Sequence, residues 1–275
     1  MPVITVSRQD GSEGDLVARM VAERLGFVFL DRAAMLSAAQ QEGVAINKAL
    51  VPEIDEKKPS FWERLDEERR RYNLLLRYLV YDFARRDRCV IVGHGAEAFL
   101  AGLNHVLRVK LIAPFDTRVK RVMERDRLPK EAAVNAVRQS DRERAGYMKY
   151  LFQEDWLNPE LYDLVLNTEK LKPETVTGLI AQAAAIPELT PSAGSAQVLA
   201  DRALASRVEM RLLLDPRIGS TSLRILASRG EVTLSGTLAT DEEKEIAELV
   251  AANTPGVNRL ISELVVVPIT STLYP

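Results

Sequence analysis

Five short, largely apolar strand-like runs, each broken by a polar or glycine-bearing segment and then followed by residues spaced for a helix, leave this chain few folds to adopt. The runs are Val3–Val6, Phe27–Leu30, Cys89–Val92, Val106–Ile112 and Leu164–Leu166. A strand covered on both faces reads as a continuous apolar run rather than an alternation. Strands separated by helices run parallel, because each helix carries the chain back over the sheet. Residues 1–186 are therefore expected to form an α/β domain, a parallel sheet with helices on both faces.

The helical segments have clear periodicity. Leu16, Val17, Met20, Val21 and Leu25 recur at helical spacing and Gly26 stops the helix. Pro59 to Arg86 reads as a long amphipathic helix, with Trp62, Leu65, Tyr72, Leu76, Leu79 and Phe83 on one side and Glu63, Glu67, Arg70 and Arg71 largely on another. Further helices are expected from Pro114 to about Arg127, from Pro129 to about Tyr150, and from Pro173 to Ala185. Ile186–Ser195 has the proline, serine and glycine content of a linker, so residues 187–195 are read as the connection to a second unit. From 196 to 268 the pattern changes. A helix to Leu214 is followed by an alternating hairpin turning at Arg229-Gly230, a helix over Asp241–Ala252 and a last strand over Ile261–Val267. This is a small α+β module of order α-β-β-α-β.

Composition narrows the function classes. The net charge is −2, whereas a nucleic-acid grip carries a basic footprint, so no nucleic-acid partner is expected. The single cysteine, Cys89, rules out an internal disulfide and is expected to be a buried apolar residue. With two histidines, His94 and His105, a His/Cys metal centre is not expected. His105, just before a strand, reads as structural. No covalent-nucleophile motif occurs. The N-terminus lacks a basic leader, and no apolar window reaches the length of a membrane span, which places the protein in the cytoplasm as an expectation.

Ligands of doubly covered parallel sheets sit beyond the carboxyl ends of the strands. Three segments of interest lie there: Ser7–Gly14, Asp31 and Gly93–Gly95. A phosphate loop aims backbone N–H groups and a helix N-terminus at an anion, and Asp10–Asp15 lies in the right place. The full pattern G-x-x-x-x-G-K-S/T is absent. Gly14 and Asp15 stand where the lysine is expected, and Leu16 near the hydroxyl that would bind magnesium. Taken alone, the loop reads more readily as an ordinary glycine-bearing turn. Glu13 and Asp15 add negative charge beside an anion site, which Arg8 partly offsets.

Val3–Gly26 with Phe29-Leu30-Asp31-Arg32, Cys89–Gly95, Val106–Met123, Asp141–Arg144 and Tyr162–Leu171 together resemble the cytidylate kinase-like family, a P-loop nucleoside monophosphate kinase-like group, over roughly residues 1–186. The branch resembled reads S-R-E-x-G-S-G-G at the loop, already without lysine; here Ser7–Gly14 places Glu13 at a usual glycine. The resemblance implies a nucleotide ligand, with ATP and Mg²⁺ as cofactors and a CMP-like acceptor. It assigns Arg8, Gly11, Ser12 and Gly14 to the donor phosphates. Asp31, Arg32, His94, Arg118, Arg121 and Asp141 fall to the acceptor side. The lid arginines Arg138, Arg142 and Arg144 are the groups that would spread phosphoryl charge. Asp31 also reads as a helix N-cap, Arg118 and Arg121 as a solvated helix face, and Arg138 with Arg142 as an intrahelical ladder. His94 stands at a family arginine and lacks its bidentate fork.

Leu214-Asp215-Pro216, Gly230–Gly236 and Pro255-Gly256-Val257 make the second module similar to a BON domain. That resemblance implies a hydrophobic or lipid-like ligand, or self-association into a homo-oligomer. Three classes stay open: a phosphotransferase, a non-catalytic nucleotide sensor acting on the BON-like module, and an interaction scaffold that binds no nucleotide.

Overall fold

The computed structural model describes residues 2–41, 67–86, 88–219 and 223–267. Among these, Val3–Arg8 (β1), Val28–Leu30 (β2), Cys89–Val92 (β3), Val106–Ile112 (β4) and Leu164–Asn167 (β5) form a parallel sheet in the order β2-β3-β1-β4-β5. β1 lies at its centre, paired with β3 and β4. It is two residues longer than its apolar run because Ser7 and Arg8 still pair with Lys110 and Leu111.

Alternation along β1 divides two cores. Val3 joins a cluster with Leu75, Leu76, Leu79, Ile91 and Leu100 on one face. Ile4 and Val6 join Val17, Val21, Val109, Leu111, Val176 and Ile180 on the other. Helix α1 (Gly14–Leu25) and helix α7 (Pro173–Ala183) cover the second face. Helix α3 (Glu67–Arg85) covers the first. Each fully buried Val, Leu or Ile contributes on the order of 1.5–3 kcal/mol, so this double-sided burial anchors the loop that leaves β1. The expected helix start at Pro59, with Trp62, Glu63 and Leu65, lies outside the described residues.

Helix α2 (Arg32–Gln41) follows β2, and the short helix α4 (Ala96–Phe99) follows β3. Helices α5 (Phe115–Asp126) and α6 (Lys130–Phe152) form a hairpin beyond β4. Cys89 and His105 are both buried, as expected.

The stretch with linker composition is ordered. Pro187–Leu189 makes a 3-10 turn, and Ser192 caps helix α8 (Ala193–Leu214), its hydroxyl accepting from the Ser195 N–H at 3.1 Å. Asn104 binds it from the first unit, donating to the Thr190 carbonyl at 2.7 Å, while His105 Nδ1 lies 2.9 Å from Ser195 Oγ.

Leu223–Ser228 (β6), Glu231–Leu238 (β7) and Arg259–Val266 (β8) form a second sheet, antiparallel then parallel, backed by α8 and helix α9 (Asp241–Ala252). Helix α8 has two loyalties: Leu204, Val208 and Leu212 enter this small core, and Leu199 and Met210 enter the core under α3. Two ion pairs, Arg77–Glu209 and Arg207–Asp82, cross the α3–α8 seam.

Candidate functional site

The β1–α1 loop is shaped by two left-handed residues. Gly11 has φ 78°, and a Cβ there would lie 2.6 Å from the Arg118 carbonyl oxygen, so only glycine fits. Glu13 takes φ 60° at the N-cap of α1 without capping through its side chain. Ser12, fully buried, donates its hydroxyl to the Gln9 carbonyl at 2.7 Å. The N–H groups of Gly14, Asp15 and Leu16 open the helix and have no acceptor within it by geometry, the arrangement that receives an anion.

Around this loop the arginines are already engaged. Arg121 pairs with the Glu13 carboxylate at 3.2 Å and donates to the Thr168 carbonyl at 2.8 Å. Arg125 pairs with Asp10 at 2.7 Å and with Asp126 at 2.6 Å. Its guanidinium is pushed above its ordinary value, first by the Asp126 bond and then by that to Asp10. Arg8 pairs with Asp15 at 2.9 Å. Arg118, 4% exposed, makes a two-bond fork with Asp141 at 3.0 and 2.8 Å. It also donates to the Ala113 carbonyl at 3.1 Å. Arg118 is therefore no part of a solvated face. Thr168, from the segment after β5, donates its hydroxyl to the Ser12 carbonyl at 2.9 Å. The loop's own acids thus occupy the guanidiniums nearest it.

On the β2–β3 side, Asp31 is an N-cap: its carboxylate accepts from the Ala34 N–H at 2.9 Å, with Arg19 3.4 Å from its other oxygen. Arg32 begins α2 and is half-buried. Gly93, His94 and Gly95 take φ values of 72°, 59° and 69°, and this turn buries His94 to 3% exposure. The ring of Phe152, the last residue of α6, fills the space where a Gly95 side chain would go, at 2.4 Å from an ideal Cβ. Gly95→Ala is expected to cost about 2–3 kcal/mol, combining left-handed strain with displacement of the ring, readable as a lower urea midpoint. On α6, Arg138 and Arg142 are exposed, Arg138 lying 5.5 Å from the Phe115 ring centre. Arg144 bonds Ser140 at the short limit. The structure gathers Arg8, Gly11, Ser12, Gly14, Arg118, Arg121 and Asp141 around one loop. Asp31, Arg32 and His94 lie on the opposite side of β1.

A model of the cytidylate kinase-like family matches residues 3–170. The chain belongs to the cytidylate kinase-like family. A BON domain model matches residues 200–268. The cytidylate kinase of Ignicoccus hospitalis is 28% identical over 182 residues, covering 66% of this chain and 97% of that protein. That of Natronomonas pharaonis is 24% identical over 181 residues, covering 66% and 88%. Among solved structures, an uncharacterized protein from Eubacterium ventriosum shares 23% identity with a TM-score of 0.48, covering 67% of this chain and 98% of its own.

The loop of the cytidylate kinase-like domain offers an anion the backbone N–H groups of a helix N-terminus, without a loop lysine. Magnesium fits less well. Leu16, about half exposed, stands near the position at which the metal-binding hydroxyl is expected and offers no oxygen. Sequence reasoning missed a polar cluster directly behind the loop. Lys110 on β4 is 2% exposed, and its ammonium donates to Ser7 Oγ at 3.3 Å and the Trp156 carbonyl at 3.2 Å. It lies 3.2 Å from the centre of the Trp156 ring. The Tyr162 hydroxyl donates to the same carbonyl at 3.0 Å. Burial, then the charge of Glu97, holds this phenol well above its ordinary value. The available signal was Lys110 itself, which with Arg108 interrupts the apolar residues of Val106–Ile112.

Proposed function

We propose that the cytidylate kinase-like domain binds a nucleotide through its β1–α1 loop and acts as a nucleotide-responsive regulator of the BON domain rather than as an efficient phosphotransferase. The observation that carries this reading is the pairing of Glu13 with Arg121 and Asp10 with Arg125. An incoming triphosphate must displace these carboxylates before it meets the guanidiniums, which weakens binding and makes it conditional. Transfer loses two standard devices, the loop lysine and the metal-binding hydroxyl. The α3–α8 seam supplies a direct route between the units, since α3 packs on the kinase-like core and α8 on both.

A second reading, transfer of the ATP γ-phosphate to CMP, dCMP or a similar acceptor, is favoured by the exposure of Arg138 and Arg142 on α6. Positioning and arginine electrostatics carry much of such a reaction. Calorimetric titration with ATP–Mg²⁺ and, separately, with CMP distinguishes the cases. The regulator reading expects ATP binding with dissociation constants from tens of micromolar upward and no CMP-dependent ADP release. Binding of both ligands with steady ADP formation would establish the kinase. No heat and no thermal stabilisation by either ligand at millimolar concentration would exclude both nucleotide readings.

A further inference from the structure

The charged cleft at the α3–α8 seam lies away from the loop, and neither reading above assigns it a ligand. It has a volume of about 690 Å³, within the range of small-molecule sites. Arg85 and Arg86 enter from the end of α3, and Arg207 and Arg211, one helical turn apart, from α8. Asp82 is the carboxylate that three of them share: it is 4% exposed, pairs with Arg86, and lies 3.1 Å from Arg207 and 3.5 Å from Arg85. The other lining carboxylate, Asp215, is taken at 2.6 Å by Arg217. Four guanidiniums thus line a cleft in which Asp82 is the one carboxylate not taken by an arginine outside it, in a chain whose net charge is −2.

Two of the four are held in place by neutral acceptors. Arg207 donates to the Pro255 carbonyl at 3.1 Å and Arg211 to the Asn253 carbonyl at 2.9 Å, both just past the end of α9. Carbonyls orient a guanidinium without cancelling its charge, so the cleft is preorganised and electropositive. Its remaining wall is apolar, with Tyr78, Met210 and Leu214. Guanidiniums in a fork match the paired oxygens of phosphate, and a concave site with one sign of charge concentrates counter-ions.

We propose that this cleft binds a phosphate-bearing small molecule with two or more negative charges, its apolar portion lying against Tyr78, Met210 and Leu214. The same chemistry is offered by a soluble phosphorylated metabolite and by a phosphomonoester lipid headgroup. Because the cleft is built from both units, its ligand would hold α3 and α8 together, and the proposal does not depend on nucleotide binding at the loop.

The test uses the full chain with inorganic pyrophosphate as the probe, against sodium chloride at matched ionic strength. Binding is followed by calorimetry and located by hydrogen–deuterium exchange. Pyrophosphate is expected to protect residues 78–86 and 207–214. Arg85→Gln/Arg86→Gln is expected to weaken that binding about tenfold or more. Both side chains are half-exposed, at 47% and 58%, so the fold should survive. If the double variant does not fold, Arg211→Gln serves the same purpose. Protection confined to residues 9–17, or seam protection unchanged by the substitutions, would overturn the proposal, and the first of these leaves the loop reading intact. Sedimentation with phosphatidylcholine vesicles, with and without phosphatidic acid, identifies the source. Retention that needs phosphatidic acid and is lost in the variant supports a headgroup. Pyrophosphate binding without retention supports a soluble ligand.

Discussion

Glu13→Gly is expected to tighten ATP binding at least tenfold while leaving stability within about 1 kcal/mol of the parent. The affinity gain has an electrostatic origin. A carboxylate ~4 Å from a phosphate oxygen costs on the order of 4 kcal/mol at an effective dielectric of ~20. The Glu13 side chain is 35% exposed and already paired with Arg121, so water and the guanidinium screen a large part of this. The ~1.4 kcal/mol that corresponds to tenfold is a conservative remainder. Glycine also frees Arg121 to meet the ligand. Stability changes little because the contributions oppose one another. Glu13 sits at φ 60°, a region that costs a non-glycine residue about 1–2 kcal/mol, and glycine removes that strain. Against it stand a partly exposed ion pair of about 0–1 kcal/mol and the larger chain entropy of unfolded glycine. Glu13→Gln separates the causes, since it keeps the strained backbone and loses only the charge. It should reproduce most of the affinity gain with no relief of strain. If neither variant binds ATP more tightly than the parent in calorimetry, Glu13 does not gate the loop, and the regulator reading loses the observation that carries it.

This prediction shows where the sequence could be read and where it could not. The parallel sheet was legible because buried strands announce themselves as unbroken apolar runs, as Cys89–Val92 does, and because helices between them force parallel crossovers. The strand order β2-β3-β1-β4-β5 was not, since it depends on which crossovers pass over β1. Local chemistry was legible too: Asp31 reads as an N-cap, and it caps α2. Long-range pairing was hidden. Arg125 meets Asp10 across 115 positions and Arg118 meets Asp141 across 23, and nothing in either neighbourhood names its partner. Arg118 reads from the sequence either as an acceptor-side group or as part of a solvated helix face; its fork on Asp141 and its bond to the Ala113 carbonyl bury it and remove the second reading. Ile186–Ser195 has the composition of a loose connection, and Asn104, 86 positions before Thr190, ties it down.

Lys110→Ala should be the most damaging of these changes to stability, lowering it by about 3–5 kcal/mol, a range that covers both deletion of a buried side chain and disruption of a buried charged cluster. The ammonium is 2% exposed and bonded to Ser7 Oγ, the Trp156 carbonyl and the Tyr162 hydroxyl at 3.3, 3.2 and 3.4 Å. Alanine leaves a cavity beside β4 and removes the cation from the face of Trp156, which is worth up to about 2 kcal/mol when desolvated. Part of the cluster survives, because Trp156 Nε1 still donates to Ser7 Oγ at 3.0 Å and the Tyr162 hydroxyl to the Trp156 carbonyl. At about 2–4 °C per kcal/mol for a domain of this size, the melting temperature should fall by roughly 10 °C. Lys110→Met retains most of the stem's volume and loses only charge and donors, so it should cost about half as much. Equal losses in the two variants would place the whole effect in the charge. The change should also be local in its first signs. Trp156 follows α6 and touches β1 through Ser7, one residue before Arg8, which is paired to Asp15. Loosening it should red-shift tryptophan emission and raise hydrogen exchange in residues 153–163 before the sheet unfolds. If exchange there stays at the parent level while stability falls, the lysine supports the sheet core and does not tie α6 to the phosphate loop.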